Sequence, residues 1–292
     1  MLNRKSILML LVLAVLAVAP AFSFAQDTPA PSFTPEQLDK LVARIALYPD
    51  SLLAQVLAAA TYSDQIPDAA RWADQHHYLT GEALADAIQA DHLPWDPSVQ
   101  ALLPFPSVLE MMAKDMNWTT DLGNAFLAQK QDVMDAVQRE RKKARDYGYL
   151  RSNAEIIVSD GPYITIVPVH PAFIPVPVYD PAIVFFPPAP GIVVGGVIRF
   201  GFFVTIGDFF RPWGWGYCRF DWGAHVVIIN NAPWGRTWIN RREYVHPYEI
   251  RRYSVGERLP EQHALHERTE RERAVAREGR HPMEEHRDHR SR

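Results

Sequence analysis

Apolar positions recur at helical period from the start of the ordered sequence: Leu38, Leu41, Val42, Ile45 and Ala46 fall on one face. Thr34-Pro35-Glu36-Gln37 just before them has the form of a helix start. Thr34 can cap, Pro35 suits the first helical position, Gln37 can close a capping box, and Phe33 and Leu38 are spaced as a hydrophobic staple. Pro49 ends this helix. Ser51–Tyr62 is Ala/Leu-rich and apolar nearly all round, which predicts a central, buried helix. Pro67 opens a helix carrying Trp72, Thr80-Gly81-Glu82 opens one running to Ala90, and Asp96-Pro97 and Pro106-Ser107 open two more. Trp118–Asp146 then reads as one long amphipathic helix with Trp118, Leu122, Phe126, Val133 and Val137 on one side. Its charged stretch Arg139–Arg145 is expected to project into solvent, and Gly148 to stop it. The pattern predicts an all-α domain over 33–148, of about six or seven short helices with short connections.

The period changes near Leu150. Ala154–Val158 and Tyr163–Val167 are β-branched runs flanking Asp160-Gly161, a hairpin signal. Nine prolines follow between Pro162 and Pro190. Segments such as Pro175-Val176-Pro177-Val178-Tyr179-Asp180-Pro181 cannot be interior strands, because proline has no amide hydrogen, and read as extended or polyproline surface segments. Gly191–Gly207 is apolar apart from Arg199 and Thr205. It falls short of a full membrane span and Arg199 is central, so a pair of buried or packed strands is favoured over a membrane-inserting segment. Five of the eight tryptophans then fall between Trp213 and Trp238, a stretch that also contains the β-type run His225–Asn230 and an Asn230-Asn231 turn. Residues 149–248 therefore make a small Pro/Gly/aromatic-rich β module, and the fold class is α+β. Residues 249–292 are dominated by Arg, Glu and His, with too few apolar groups to offset the entropy of ordering, so a disordered tail is expected.

The N-terminus adds a compartment. Arg4 and Lys5 precede an apolar run from Ile7 to Ala19, Pro20 breaks it, and Ser23-Phe24-Ala25 supplies small residues where a signal peptidase reads them. That order predicts a cleavable signal peptide over 1–25, a linker over 26–32, and a mature chain in the periplasm or cell envelope. The net charge of −4 gives no electrostatic footprint for nucleic acid. Cys218 is the only cysteine, so no intramolecular disulfide can form.

Three segments carry a family resemblance. Ile45-Ala46-Leu47-Tyr48-Pro49-Asp50-Ser51-Leu52-Leu53-Ala54-Gln55, Asp121-Leu122-Gly123-Asn124-Ala125-Phe126 and the Val-Pro-Val-Tyr-Asp-Pro stretch within Pro175–Pro181 occur in order. Over Phe33–Tyr248 the chain resembles DUF3300, a family of exported bacterial proteins. The resemblance implies an envelope setting and the helical-plus-β layout, and supplies no activity, cofactor or catalytic residue.

Candidate chemistry is sparse. None of the serines past residue 148 stands in a nucleophile-elbow context. Cys218 sits among Trp215, Tyr217 and Phe220, which would raise its pKa and blunt it as a nucleophile. His76-His77 point apart on a helix, and His263, His266, His281, His286 and His289 belong to a solvated charged tail, so no metal site and no cofactor are assigned. Asp180, Asp208, Asp221 and Glu243 could serve a glycosidase only in a cleft fixing two of them at a set separation. The aromatic cluster leaves two readings. In the first, Trp213, Trp215, Tyr217 and Trp222 form a binding patch, with Gly214 and Gly216 letting 213, 215 and 217 project from one side of an extended strand. In the second, the rings are the core of a module short of aliphatics. The sequence points to an envelope protein with a binding or structural role and no catalysis, its partner a glycan, a membrane surface or another envelope protein. The alternative is a periplasmic hydrolase acting on envelope glycans.

Overall fold

The computed structural model describes residues 28–159, 161–191 and 194–246; the signal-peptide segment, Asp160, Ile192, Val193 and the tail 249–292 lie outside the described residues. The fold is α+β. The capping box at Thr34 forms as its sequence dictates, and Pro35 opens α1 (Pro35–Val42). Next come α2 (Asp50–Ala60), α3 (Ile66–Gln75), α4 (Gly81–Ala90), α5 (Pro97–Gln100) and α6 (Pro106–Lys114), each close to its punctuating Pro or Gly. Helix α2 is the hub. Leu52–Ala60 is buried throughout, because this stretch has no polar face to offer water.

The expected long helix is two: α7 (Met116–Ala128) and α8 (Lys130–Asp146). The break falls at Gln129, whose φ of −135° leaves the helical region. Its side chain compensates for the lost ladder. Oε1 accepts the Phe33 amide at 2.7 Å and Nε2 donates to the Phe33 carbonyl at 3.2 Å, tying the chain start to the break. The bend lets α8 pack along α1 while α7 packs on α2. Gly123 sets the α7–α2 approach: a Cβ there would lie 2.0 Å from the Ala60 carbonyl oxygen. At the far end Gly148 (φ +81°) completes a Schellman cap, with Gly148 N–H on the Arg145 carbonyl and Tyr149 N–H on that of Ala144.

Arg139–Arg145 does not project into solvent. Arg141 is fully buried and Glu140 nearly so. Arg141 spends its donors on the Ala46 carbonyl (2.8 Å), the Tyr48 carbonyl (2.9 Å), the Ile164 carbonyl (2.8 Å) and Asp50 Oδ1 (2.6 Å). Periodicity alone cannot find this, because the partners are distant in sequence: the Ala46 and Tyr48 carbonyls and Asp50 lie 91–95 residues earlier and the Ile164 carbonyl 23 residues later, and a guanidinium satisfies them better than any apolar group.

The β region is built from small pairs. β1 (Ile156–Val158) and β2 (Ile166–Pro168) form the expected hairpin. β3 (Phe173–Val178) pairs antiparallel with β4 (Arg199–Thr205), with an irregularity after Val176. The prolines of β3 are tolerated because a two-stranded sheet has only edges. Thus Pro175–Val178 is a paired strand rather than polyproline, and Gly191–Gly207 supplies one strand, not two buried ones; Phe203 on it is 53% exposed. Between them Asp180 caps the short α9 (Pro181–Val184). β5 (Arg219–Asp221), β6 (Val226–Ile229) and β7 (Ala232–Pro233) make the last sheet. Asn230 and Asn231, at φ of 52° and 63°, form the tight turn between β6 and β7 that such residues favour.

Among the described residues no sheet exceeds three strands, so none can bury a core alone. Instead β2, β5 and β6 pack on α2, and one continuous apolar core runs from Leu38 to Trp234. Among the described residues no helix is long and apolar enough to cross a membrane.

Candidate binding cleft

The aromatic cluster settles on the second of its two readings. Trp213, Trp215 and Trp222 are buried, so the expectation that Trp213 and Trp215 face a partner is corrected. Trp213 and Trp215 do not share an extended strand. They lie in successive 3-10 turns, Asp208–Trp213 and Trp215–Tyr217, hinged at Gly214 (φ +90°). A Cβ at Gly214 would press on Ile229 at 2.8 Å. Each indole N–H then finds a helical-domain acceptor: Trp213 the Gln100 Oε1 at 3.1 Å, Trp215 the Ala101 carbonyl at 3.0 Å and Trp222 the Asp50 Oδ2 at 3.2 Å. Trp215 also stacks on Phe105, and Arg141 lies over the Trp222 ring. Amphipathic rings suit this place, since each brings large apolar area and one donor for an exposed carbonyl or carboxylate. Of the four predicted site residues only Tyr217 is exposed, at 48%.

The remaining candidates lie on the surface or in turns. Asp180 caps α9, Asp208 pairs with Arg211, and Asp221 accepts the Ala224 amide. Cys218 donates to the Ser51 carbonyl at 3.5 Å; burial, and then the Asp50 charge, push its thiol far up, so it stays protonated.

A different place has the properties of a site. A cleft of about 540 Å3 opens between the end of α4, the 91–97 loop and the segment Tyr244–His246, with Trp213 behind it. This is within the roughly 300–1,000 Å3 of small-molecule pockets. Its anchor is Asp96. The Asp96 Oδ1 accepts the Ser98 amide at 2.9 Å and the Ser98 hydroxyl at 2.6 Å, capping α5, and it faces His246 Nε2 at 2.9 Å. Burial alone would raise the Asp96 pKa, but the hydrogen bond and charge of His246, with the Ser98 bonds, outweigh it and hold the carboxyl below its ordinary value. The backbone N–H of Asp96 donates to Gln65 Oε1 at 2.7 Å, fixing the loop from the other side.

Around this anchor stand rings and amides. Tyr62 has Arg236 stacked over its ring at 3.6 Å, the guanidinium itself held by the Thr61 carbonyl at 2.6 Å. Burial, and then the Asp96 charge, push the Tyr62 hydroxyl well above the ordinary tyrosine range, so it remains a donor. Tyr244 lies edge-on to His246 and accepts the Gly235 amide. Gln100 is spent on the Leu93 and Trp95 carbonyls, which shapes the loop and leaves the Trp95 ring half-buried on the cleft wall. Gln89 Nε2 is shielded from water and makes no hydrogen bond, whereas the Tyr62 hydroxyl faces the Asp96 carboxylate. Leaving such an amide unmade costs about 1–3 kcal/mol. Among the described residues no group of three His, Cys, Asp or Glu could hold a metal.

Sequence reasoning placed Asp96 only as a helix start and singled out none of Tyr62, Gln89, Trp95 and His246. Asp96 and His246 are 150 residues apart, and no local spacing announces them.

The family described as "Protein of unknown function (DUF3300)" matches residues 34–252, most of the chain and all of the cleft. The chain belongs to the DUF3300 family. An uncharacterized protein YacH of Escherichia coli (strain K12) is 41% identical over 146 residues, covering 47% of this chain and 23% of that protein. The chain thus spans less than a quarter of the length of the curated relative it matches. No solved structure matches it. The DUF3300 segments seen in the sequence serve packing. Residues 45–55 receive Arg141, Trp222, Cys218 and the Trp213 carbonyl. Gly123 sits against α2, and Tyr179 both accepts the Leu47 amide and donates to the Ala43 carbonyl.

Proposed function

We propose that this chain is an exported cell-envelope protein with a non-catalytic binding role, exercised through the Asp96–His246 cleft. The carrying observation is a cleft of about 540 Å3 walled by the half-buried Trp95 and by Tyr244 and lined by Gln89, whose Nε2 makes no hydrogen bond. The N-terminal charge, apolar run and small-residue site support export. Hydrolysis of a glycosidic bond needs two carboxyl groups across the scissile bond, and among the described residues that line the cleft Asp96 is the one carboxylate. It is already committed to capping α5 and to His246, which favours binding over turnover.

The test is fractionation of the native protein followed by co-sedimentation of the purified chain with envelope fractions and isolated peptidoglycan sacculi. Retention without release of soluble glycan is expected, and Trp95→Ala should lower it. Release of soluble fragments would instead establish the hydrolase. Recovery of the protein only in the cytoplasm would remove the envelope role.

A further inference from the structure

Residues 161–207 carry two formally charged side chains, Asp180 and Arg199, and leave Phe173 44% and Phe203 53% exposed. Both rings belong to the β3–β4 pair, and the backbone shows which rim of that pair is open. Ile206, just past β4, donates its amide to the Ala172 carbonyl at 2.8 Å. Alternation along an antiparallel ladder then turns the backbone of 202, 204 and 206 toward β3, and that of 203 and 205 away from it. Pro175 obeys the same rule. It sits opposite Phe203, where an amide hydrogen would point outward, and Pro177 follows two residues on. Prolines therefore close the outer rim of β3. The rim of β4 has none, and among the described residues nothing is bonded to the outward amides and carbonyls of Phe203 and Thr205. With seven residues β4 is also the longest strand among the described residues. Such a rim is a template for a further strand. Its charges say which. Arg199, at the start of β4, makes no ion pair with a described residue, and Asp208, just past the end, has an 83% exposed side chain that meets Arg211 at 2.9 Å. An antiparallel pairing of β4 with itself sets the basic end of each strand against the acidic end of the other.

We propose that two copies of this chain pair antiparallel along the outer rim of β4, about a two-fold axis at Val204. This register uses both outward residues of each strand. Phe203 of each copy stands opposite the partner's Thr205, and each such couple exchanges two backbone hydrogen bonds. Phe173 is the β3 neighbour of Thr205, so 173, 205 and 203 share one face of the sheet. The two Phe203 rings become diagonal neighbours on that face, within reach of each other, and each continues the other copy's row of Phe173 and Thr205. The joined rims leave a four-stranded sheet whose two outer edges are the proline-closed β3 strands, which also explains why the pairing stops at two. A seven-residue rim is about 23 Å long and falls short of the roughly 800 Å2 per partner of a standard interface. A reversible dimer with Kd on the order of 10–100 μM is therefore expected. This surface shares no residue with the lining of the Asp96 cleft and does not depend on that reading.

The test is sedimentation equilibrium of the purified chain between about 5 and 500 μM, a range that brackets the expected Kd. A concentration-dependent dimer is expected. Phe203→Lys should raise Kd about tenfold or more while leaving the melting temperature of the dilute chain unchanged, because the ring is exposed in the monomer. Arg199→Glu should weaken the dimer severalfold, and Arg199→Glu combined with Asp208→Arg should restore it. The register has its own readout. Facing positions lie about 5.5 Å apart at Cα, within disulfide range. Oxidising a mixture of Phe203→Cys and Thr205→Cys chains should therefore cross-link the two faster than either chain cross-links with itself. A monomer across the whole range overturns the proposal, as does a dimer that survives Phe203→Lys. A monomer that floats with phosphatidylcholine vesicles, and loses this with Phe203→Lys, gives the rim to lipid instead. Dimers that form only after removal of 249–292 give it to the chain's own tail, and either result overturns the pairing of two full chains.

Discussion

Two carboxylates in this molecule make the same kind of bond and reach different ends. Asp50 and Asp96 each face a basic side chain brought from far along the chain, Arg141 and His246, and each has a tryptophan of the β region close by. The Asp50 carboxylate and the Arg141 guanidinium are both engaged: Arg141 has four acceptors, Trp222 donates to one carboxylate oxygen and the Ile166 amide reaches the other. Around Asp96 the carboxylate and the imidazole open onto a cleft in which Gln89 Nε2 makes no hydrogen bond. A sealed and saturated pair holds structure together. An equally anchored pair beside uncommitted groups has something left to offer a ligand.

The sharpest way to break the first region is Arg141→Ala. It strands the Asp50 carboxylate and three carbonyls in a dry interior, and loss of about 3–5 kcal/mol is expected. Denaturant unfolding measures it. Arg141→Met should cost less, because it refills the space. Equal losses in the two variants would mean that the lost charge and hydrogen bonds matter there more than volume.

A smaller effect is expected at Asp96. Asparagine still caps α5, so Asp96→Asn removes mainly the charge facing His246, for about 1–3 kcal/mol. The pH dependence has a definite sign. The folded-state carboxyl lies below its unfolded value, so its stabilisation is complete above the ordinary carboxylate range. It is lost as pH falls through the lowered folded value. The stability curves of wild type and Asp96→Asn should therefore converge on acidification, and parallel curves would deny Asp96 that role.

The smallest stability effect is predicted at Gln89. Gln89→Leu removes a shielded donor that has no partner, so stability should change by less than about 0.5 kcal/mol, or rise. A neutral change in melting together with lost binding would sharpen the contrast with Arg141. A large destabilisation would show that Gln89 holds the fold.

What the chain discloses before folding follows from range. Caps, prolines and apolar period act over a few residues, and α1, α2 and α4 fall close to where those signals place them. The Asn230-Asn231 turn is equally local. The break at Gln129 escapes the pattern because it is stabilised by Phe33, 96 residues away. The burial of Arg141 escapes for the same reason, since a charged residue near a helix end ordinarily faces water. The tryptophans escape because density on a sequence cannot distinguish a patch from a joint. Their partners, Gln100, Ala101 and Asp50, belong to the other half of the molecule. The cleft was the least legible feature, being assembled from helix ends and a C-terminal segment that meet only in the finished fold.

The joint between the halves also contains a chemical clock. Cys218 lies on the β side, and its sulfur turns inward onto the Ser51 carbonyl at the start of α2. Burial and the neighbouring Asp50 keep it a thiol, and thiols react slowly with alkylating reagents and oxidants, which attack the thiolate. Parting of the two regions would return the sulfur to water and restore ordinary reactivity. With no second cysteine to trap it, the exposed group can only be labelled or close again. At saturating reagent, the rate at which Cys218 is modified is the rate at which the β region lifts from the helices.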